Sequence, residues 1–139
     1  MRRPITYGLA VGLATSAWMY AEFALGLHEP QSNGQWTGFL ALVFPIAGAY
    51  LLVRPSQAPT WLAATSQGLV FGVAGGLAGA LGIYLYFAYT NPGFSVGGTA
   101  ADPLRQALSA VVASVFVGTL LVLFMRALAI RREAHERDV

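Results

Sequence analysis

Glu22 is the one acidic residue inside the apolar segments of this chain, and it therefore marks the first candidate site. A carboxylate within such a segment can bind a cation, relay a proton or hold a partner. Glu22 lies in the outer third of its segment, so the alternative is a shallow side chain that reaches headgroups or pairs with Arg105. His28 follows at the outer end, where a metal or pigment ligand competes with an ordinary interfacial histidine. We predict Glu22, His28 and Arg105 as ion or partner contacts, and no metal site.

The remaining inventory of chemical groups is small. The chain has no cysteine, which excludes disulfides, thiolate nucleophiles and cysteine metal sites. The sequence has no Ser–His–Asp pattern, no carboxylate pair at helical spacing within an apolar segment and no phosphate-cradling glycine loop. We therefore predict that the protein is not an enzyme, has no catalytic residue and needs no cofactor, although lipid or pigment could fill grooves between its helices.

Four apolar segments make up almost the whole chain of 139 residues. The composition is 56% hydrophobic and 10% charged, whereas soluble domains have about 25% charged residues. About 20 helical residues cross a bilayer core, and backbone groups in lipid need internal partners. We expect an all-α integral membrane protein with one domain over residues 1–139, formed by four transmembrane helices in an antiparallel bundle. The expected helices are 5–27, 36–53, 61–89 and 103–130.

The arginines predict the orientation of these helices. With four crossings, all of them except Arg105 fall on one side of the membrane: Arg2, Arg3, Arg54, Arg126, Arg131, Arg132 and Arg137. Positive residues in short flanking segments mark the cytoplasmic face. We expect both termini in the cytoplasm of a bacterium, a multi-pass protein in the inner membrane, and no nucleic-acid partner.

Prolines and capping residues predict where the helices begin, end and bend. Thr60 is the expected N-cap of the third helix, and Asp102 that of the fourth, with Pro103 at its first position. Pro30 is expected to end the first helix. Pro45 lies midway through the second helix and predicts a kink, which is either static or a hinge.

Small residues recur every four positions along the third segment, in two adjacent stripes. Small side chains at this spacing let another helix backbone approach closely in a membrane. One interpretation is internal packing, and the other is that one stripe docks a partner subunit. The residues predicted to form these interfaces are Gly68, Gly72 and Gly76 in the first stripe, Gly75 and Gly79 in the second, Gly8 and Gly12 in the first segment, and Ser114 and Gly118 in the fourth.

The glycine-rich third segment, from Gln67-Gly68 to Asn91-Pro92-Gly93-Phe94, ends in aromatic residues before its Asn-Pro-Gly-Phe sequence. This stretch resembles the family of small bacterial membrane proteins called domain of unknown function 4199. The helix at Gly38-Phe39, the loop at Arg54 and the glycines of the first segment fit the same layout. The resemblance implies four helices and no known activity, and it transfers no catalytic residue.

Two functions fit these features. The first is a non-catalytic accessory or structural subunit that packs, through glycine-rich helix faces, within a larger membrane complex of respiratory or photosynthetic type. Its partners would be membrane lipids and other membrane subunits or further copies of itself. The second is a small oligomeric transporter or channel that uses Glu22, with the kink at Pro45 as its hinge.

Overall fold

The computed structural model describes residues 2–27, 37–53, 60–96 and 99–137, with side chains described as far as residue 131 except at 96 and 99. These residues form helices and, besides turns, one short β-hairpin. Its four α-helices are α1 (Arg2–Ala24), α2 (Val43–Val53), α3 (Trp61–Leu85) and α4 (Pro103–Arg137).

Three shorter elements adjoin these helices. A 3₁₀ turn leads into α2, a π-helical segment continues α3, and two strands pair antiparallel before α4. They are the 3₁₀ turn Gly38–Leu42, the π-segment Tyr86–Thr90, β1 (Ser95–Val96) and β2 (Thr99–Ala100). The hairpin was not predicted, because strands of two residues are too short to show the alternation of apolar and polar side chains that indicates a strand.

Both predicted N-caps are confirmed. The Oγ1 of Thr60 accepts a hydrogen bond from the backbone N–H of Ala63 at 3.2 Å. The carboxylate of Asp102 accepts one from the N–H of Arg105 at 3.0 Å, and Pro103 is the first residue of α4. These side chains begin the helices because they satisfy amides that have no acceptor within the helix.

The end of α1 differs from the prediction. The helix ends at Ala24, and Gly26 adopts a φ of 71°. The N–H of Leu27 donates to the carbonyl of Glu22 at 2.9 Å, and that of Gly26 to Phe23 at 3.0 Å. This is a Schellman motif, in which a glycine enters the left-handed region without a Cβ penalty. The helix therefore stops before Pro30, which lies outside the described residues.

The second apolar segment is not one continuous α-helix. The 3₁₀ turn Gly38–Leu42 precedes α2, so Pro45 is the third residue of the α-helix. Proline is tolerated in the first turn of a helix, where its missing N–H breaks no intrahelical hydrogen bond. A change from 3₁₀ to α geometry occurs just before the proline, and the predicted kink stays a prediction.

The third and fourth segments also depart from their expected bounds. α3 gives way to π geometry after Leu85, and α4 extends to Arg137 rather than 130. Alanine, arginine and glutamate, which are good helix formers, are common in this final stretch and explain why the helix continues.

Helix α3 lies between α1 and α4, and α2 packs against both α1 and α4. Successive contacts between α1 and α3 advance towards the C-terminus along both helices, so these two helices are parallel. Successive contacts between α3 and α4 advance along α3 and go back along α4, so these two helices are antiparallel. The main partners of α3 are thus its sequence neighbour α4 and the more distant α1, because close approach depends on where the small residues lie.

Within the described residues, two helices are long and apolar enough to cross a membrane. They are the stretch Trp61–Thr90, which joins α3 to the π-segment, and Pro103–Arg131 within α4. The described part of the second segment, Gly38–Val53, is apolar but shorter. Helix α1 has 23 residues and carries Glu22 and two arginines. It is not among the helices that are long and apolar enough to cross a membrane.

Candidate functional site

The glycines of α1 pack directly on the second stripe of α3. A Cβ added at Gly12 would meet the carbonyl oxygen of Gly75 and would lie 2.8 Å from the backbone nitrogen of Gly79. One at Gly8 would lie 3.1 Å from the nitrogen of Gly75. Farther along, the hydroxyl of Ser16 donates to the carbonyl of Gly79 at 3.4 Å. The two backbones touch because glycines and small side chains, such as those of Ala74 and Ala78, line this contact.

The first stripe of α3 packs on α4. A Cβ at Gly72 would lie 2.6 Å from the Cα of Val115, and one at Gly68 would lie 2.8 Å from that of Thr119. At Gly76 the nearest atom would be the Cα of Val111, at 3.0 Å. The small residues of α4 complete the contact: the Cβ of Ser114 lies against Gly76, and Gly118 lies against Gly72.

Both stripes of α3 are therefore occupied within one chain. Gly75 makes this plain, because a Cβ there would lie 3.1 Å from the carbonyl oxygen of Gly8 on α1 and 3.4 Å from the Oγ of Ser114 on α4. The structure thus leaves neither stripe open for a partner subunit. All nine small residues predicted to form interfaces take part in contacts between the helices of this chain.

Glu22 lies in a cluster of aromatic side chains at the end of α1. Its side chain is only 6% exposed, and it lies close enough to Tyr86 to act on it electrostatically. Tyr86 is 1% exposed, and its ring packs edge-on against those of Tyr20 and Phe23, with centroids at 5.5 and 5.7 Å. We call these four residues the Glu22 cluster. It joins the last two turns of α1 to the first residue of the π-segment.

The π-segment positions Tyr86. The backbone N–H of Asn91 donates to the carbonyl of Tyr86 at 2.8 Å, and the amide of the Asn91 side chain donates to its hydroxyl at 3.1 Å. Tyr20 is fixed on the other side, where its hydroxyl donates to the carbonyl of Gly82 at 3.2 Å. π-helical turns are often found at functional sites. No sequence motif predicted this role for Tyr86.

The predicted pairing of Glu22 with Arg105 is not observed. Both residues are described, and no ion pair joins them. Arg105 is exposed and lines an open groove on α4, together with Leu108 and Val112. The pairing fails because Glu22 turns inward to Tyr86, whereas Arg105 faces outward. His28 lies outside the described residues.

The described residues hold no cluster of three or more His, Asp or Glu side chains that could bind a metal. Glu22 and its two tyrosines instead offer a carboxylate and two hydroxyls at one end of the protein. Such a set can hold a proton or contact a cation, but it has no nucleophile activated by a base. The prediction that the protein is not an enzyme stays a prediction.

Apolar helices, backbone-to-backbone glycine contacts and one buried carboxylate define a small helical protein with membrane-like segments. The chain belongs to the family described as "Protein of unknown function (DUF4199)", whose model matches residues 6–101. The match confirms the resemblance seen in the sequence. It spans the region from α1 to the β-hairpin and ends before α4. Neither a curated protein nor a solved structure matches the chain.

Proposed function

We propose that the protein is a four-helix bundle that crosses the bacterial inner membrane four times, with both termini in the cytoplasm. The parallel packing of α1 with α3 and the antiparallel packing of α3 with α4 agree with alternating crossings. The arginines support the orientation, because seven of them fall on the side of the termini and only Arg105 on the other.

Single cysteines test this orientation, since the natural chain has none. Gly93 is exposed, and a side chain added there would meet no atom within 4 Å. We expect a membrane-impermeant maleimide to label the Gly93→Cys variant in intact spheroplasts, and to label Val139→Cys only after the membrane is opened. The reverse pattern would contradict the proposed orientation, and equal labelling of both in intact spheroplasts would contradict a membrane crossing by α4.

We further propose that the protein is a non-catalytic structural subunit of a larger membrane assembly. The observation that carries this proposal is the surface of α4. Bulky apolar side chains recur on it every four residues and are 38–71% exposed: Leu104, Leu108, Val112, Phe116, Leu120, Phe124 and Leu128. Four residues advance a helix by about 40° beyond a full turn, so this ridge winds around the helix.

The contrast between the two sides of α4 supports a docking role. Towards α3 the helix presents small residues, such as Ser114 and Gly118, which hold it tightly to the rest of the chain. On its other sides it presents large side chains, including Phe116 at 68% and Phe124 at 57% exposed. A helix anchored on one narrow side and bulky elsewhere can pack against helices of another subunit, where van der Waals contacts drive association in lipid.

Native extraction tests this proposal. The tagged protein would be released from its own membrane in a mild detergent, and its particle mass and co-purifying proteins would be measured by mass spectrometry. We expect a large particle of fixed composition. A lone monomer, or an oligomer of this chain only, would contradict the role of a subunit in a larger assembly.

Transport through Glu22 is a second candidate, favoured by the burial of this carboxylate beside Tyr86. If the protein couples transport to a proton or cation at this site, proteoliposomes should show ion flux that Glu22→Gln abolishes. Asp102→Asn is the matched control, because Asp102 is an exposed acid at the same end and asparagine also caps helices. The structural proposal predicts no flux above that of empty liposomes for the natural protein or either variant.

A further inference from the structure

Arg126 is a buried cation near the end of the protein where α3 begins. The residue is only 8% exposed, and its guanidinium carbon lies 5.3 Å from the centre of the Trp61 ring. Its Nε and one terminal nitrogen are enclosed, yet neither donates a hydrogen bond to any residue that the structure describes. Trp61 supplies a cation–π contact, which has no lone pair to accept these donors.

None of the described side chains supplies Arg126 with a counter-charge. Arginine does not lose its proton in proteins, so Arg126 cannot become neutral to escape the cost of burial. Among the side chains that the structure describes, the acids Glu22 and Asp102 both belong to the opposite end, in the last turn of α1 and just before α4. The missing partner is therefore an anion from outside this part of the chain.

The start of α3 lies beside Arg126 and also favours an anion. Thr60 satisfies the amides of Ala63 and Ala64, through its hydroxyl and its carbonyl oxygen. The preceding amides, of Trp61 and Leu62, have no acceptor within the helix. The N-terminus of a helix of 25 residues carries a partial positive charge, and such ends bind phosphate groups.

We propose that Arg126 and the first amides of α3 together bind a phosphate group. Arginine matches the geometry of phosphate because its planar donors can make two parallel hydrogen bonds. The Trp61 ring, which is 52% exposed, lies against the guanidinium at the start of this helix. The same chemistry is offered by the phosphate of a lipid headgroup and by soluble inorganic phosphate.

Thermal unfolding of the full-length, delipidated protein in a non-ionic detergent tests this site. Three probes would be compared: dioleoylphosphatidylglycerol, a glucosyl dioleoylglycerol that has no phosphate, and inorganic phosphate. We expect phosphate-bearing probes to raise Tm by about 5 °C near saturation, because a ligand that binds only the folded state stabilises it. A rise with phosphatidylglycerol alone identifies a lipid headgroup, and a rise with inorganic phosphate as well identifies a site open to the free ion.

The variants assign the effect to Arg126. Arg126→Gln should abolish the rise in Tm, whereas Arg105→Gln, which changes an exposed arginine at the opposite end, should keep it. Should Arg126→Gln not fold, Arg126→Lys should bind with about tenfold lower affinity, since lysine offers a point charge in place of a planar fork. The proposal is overturned if the glucosyl lipid acts as strongly as phosphatidylglycerol, if no phosphate probe raises Tm, or if the response of either Arg126 variant matches that of the natural protein.

Discussion

Gly72→Ala is expected to destabilise the protein by about 3 kcal/mol, because an added methyl group has no room between α3 and α4. It would lie 2.6 Å from the Cα of Val115 and 2.7 Å from the carbonyl oxygen of Ser114. Both atoms belong to the backbone of α4, so a side-chain rotation cannot relieve the overlap. The helices would have to separate, which would loosen the whole contact that fixes α4.

Gly79→Ala is the matched control, seven residues farther along the same helix. A methyl group there would lie 3.8 and 3.9 Å from the nearest atoms of Gly12, an ordinary van der Waals distance. Alanine favours a helix over glycine by about 1 kcal/mol at either position, so the difference between the variants reports packing. Unfolding by titration with sodium dodecyl sulfate, followed by circular dichroism, measures both. Equal stabilities would show that the tight contact at Gly72 is not present.

Tyr86→Ala is expected to cost about 3 kcal/mol, the lower end of the range for removing a buried aromatic ring. Tyr86 is 1% exposed and packs against three rings, those of Tyr20, Phe23 and Phe87, at 5.1–5.7 Å. Without it, the Glu22 cluster would lose its centre and α1 would lose a main contact with the π-segment. The same detergent titration measures the loss.

Two variants separate the contributions of Tyr86. Tyr86→Phe keeps the ring and removes the hydroxyl that accepts from Asn91, so it should cost about 1 kcal/mol, the worth of one hydrogen bond. Tyr89→Ala removes a tyrosine that is 73% exposed in the same π-segment and should change the free energy of unfolding little. A larger loss for Tyr89→Ala than for Tyr86→Ala would contradict the position of Tyr86 at the core of the cluster.

The sequence predicted the helix-forming segments and the small-residue faces because both depend on local spacing. Glycines four residues apart must share one side of a helix, whatever surrounds that helix. Spacing alone does not identify the helix that lies opposite. The choice between internal packing and a partner therefore needed the structure, in which Gly75 touches both α1 and α4.

The features that the sequence did not predict depend on distant residues or on subtle backbone geometry. Glu22 is buried beside Tyr86, which lies more than 60 residues away along the chain. Tyr86 is the first residue of the π-segment and is itself buried. From the sequence, Arg126 served only to predict the orientation of the helices in the membrane. Its burial was not predicted, because it depends on where α3 begins. Gly26 ends α1 before the proline that the sequence suggested, because a glycine in the left-handed region closes the helix first.

Site-specific photo-crosslinking tests the central claim, that α4 docks on other subunits of a membrane assembly. A photoreactive amino acid would replace Val112 on α4, which is 71% exposed, or Leu13 on α1, which is 62% exposed, in cells that contain the natural assembly. We predict a discrete crosslink from position 112 to a protein other than this one, and none from position 13. The absence of a protein crosslink at position 112, or the same product from both positions, would contradict the account.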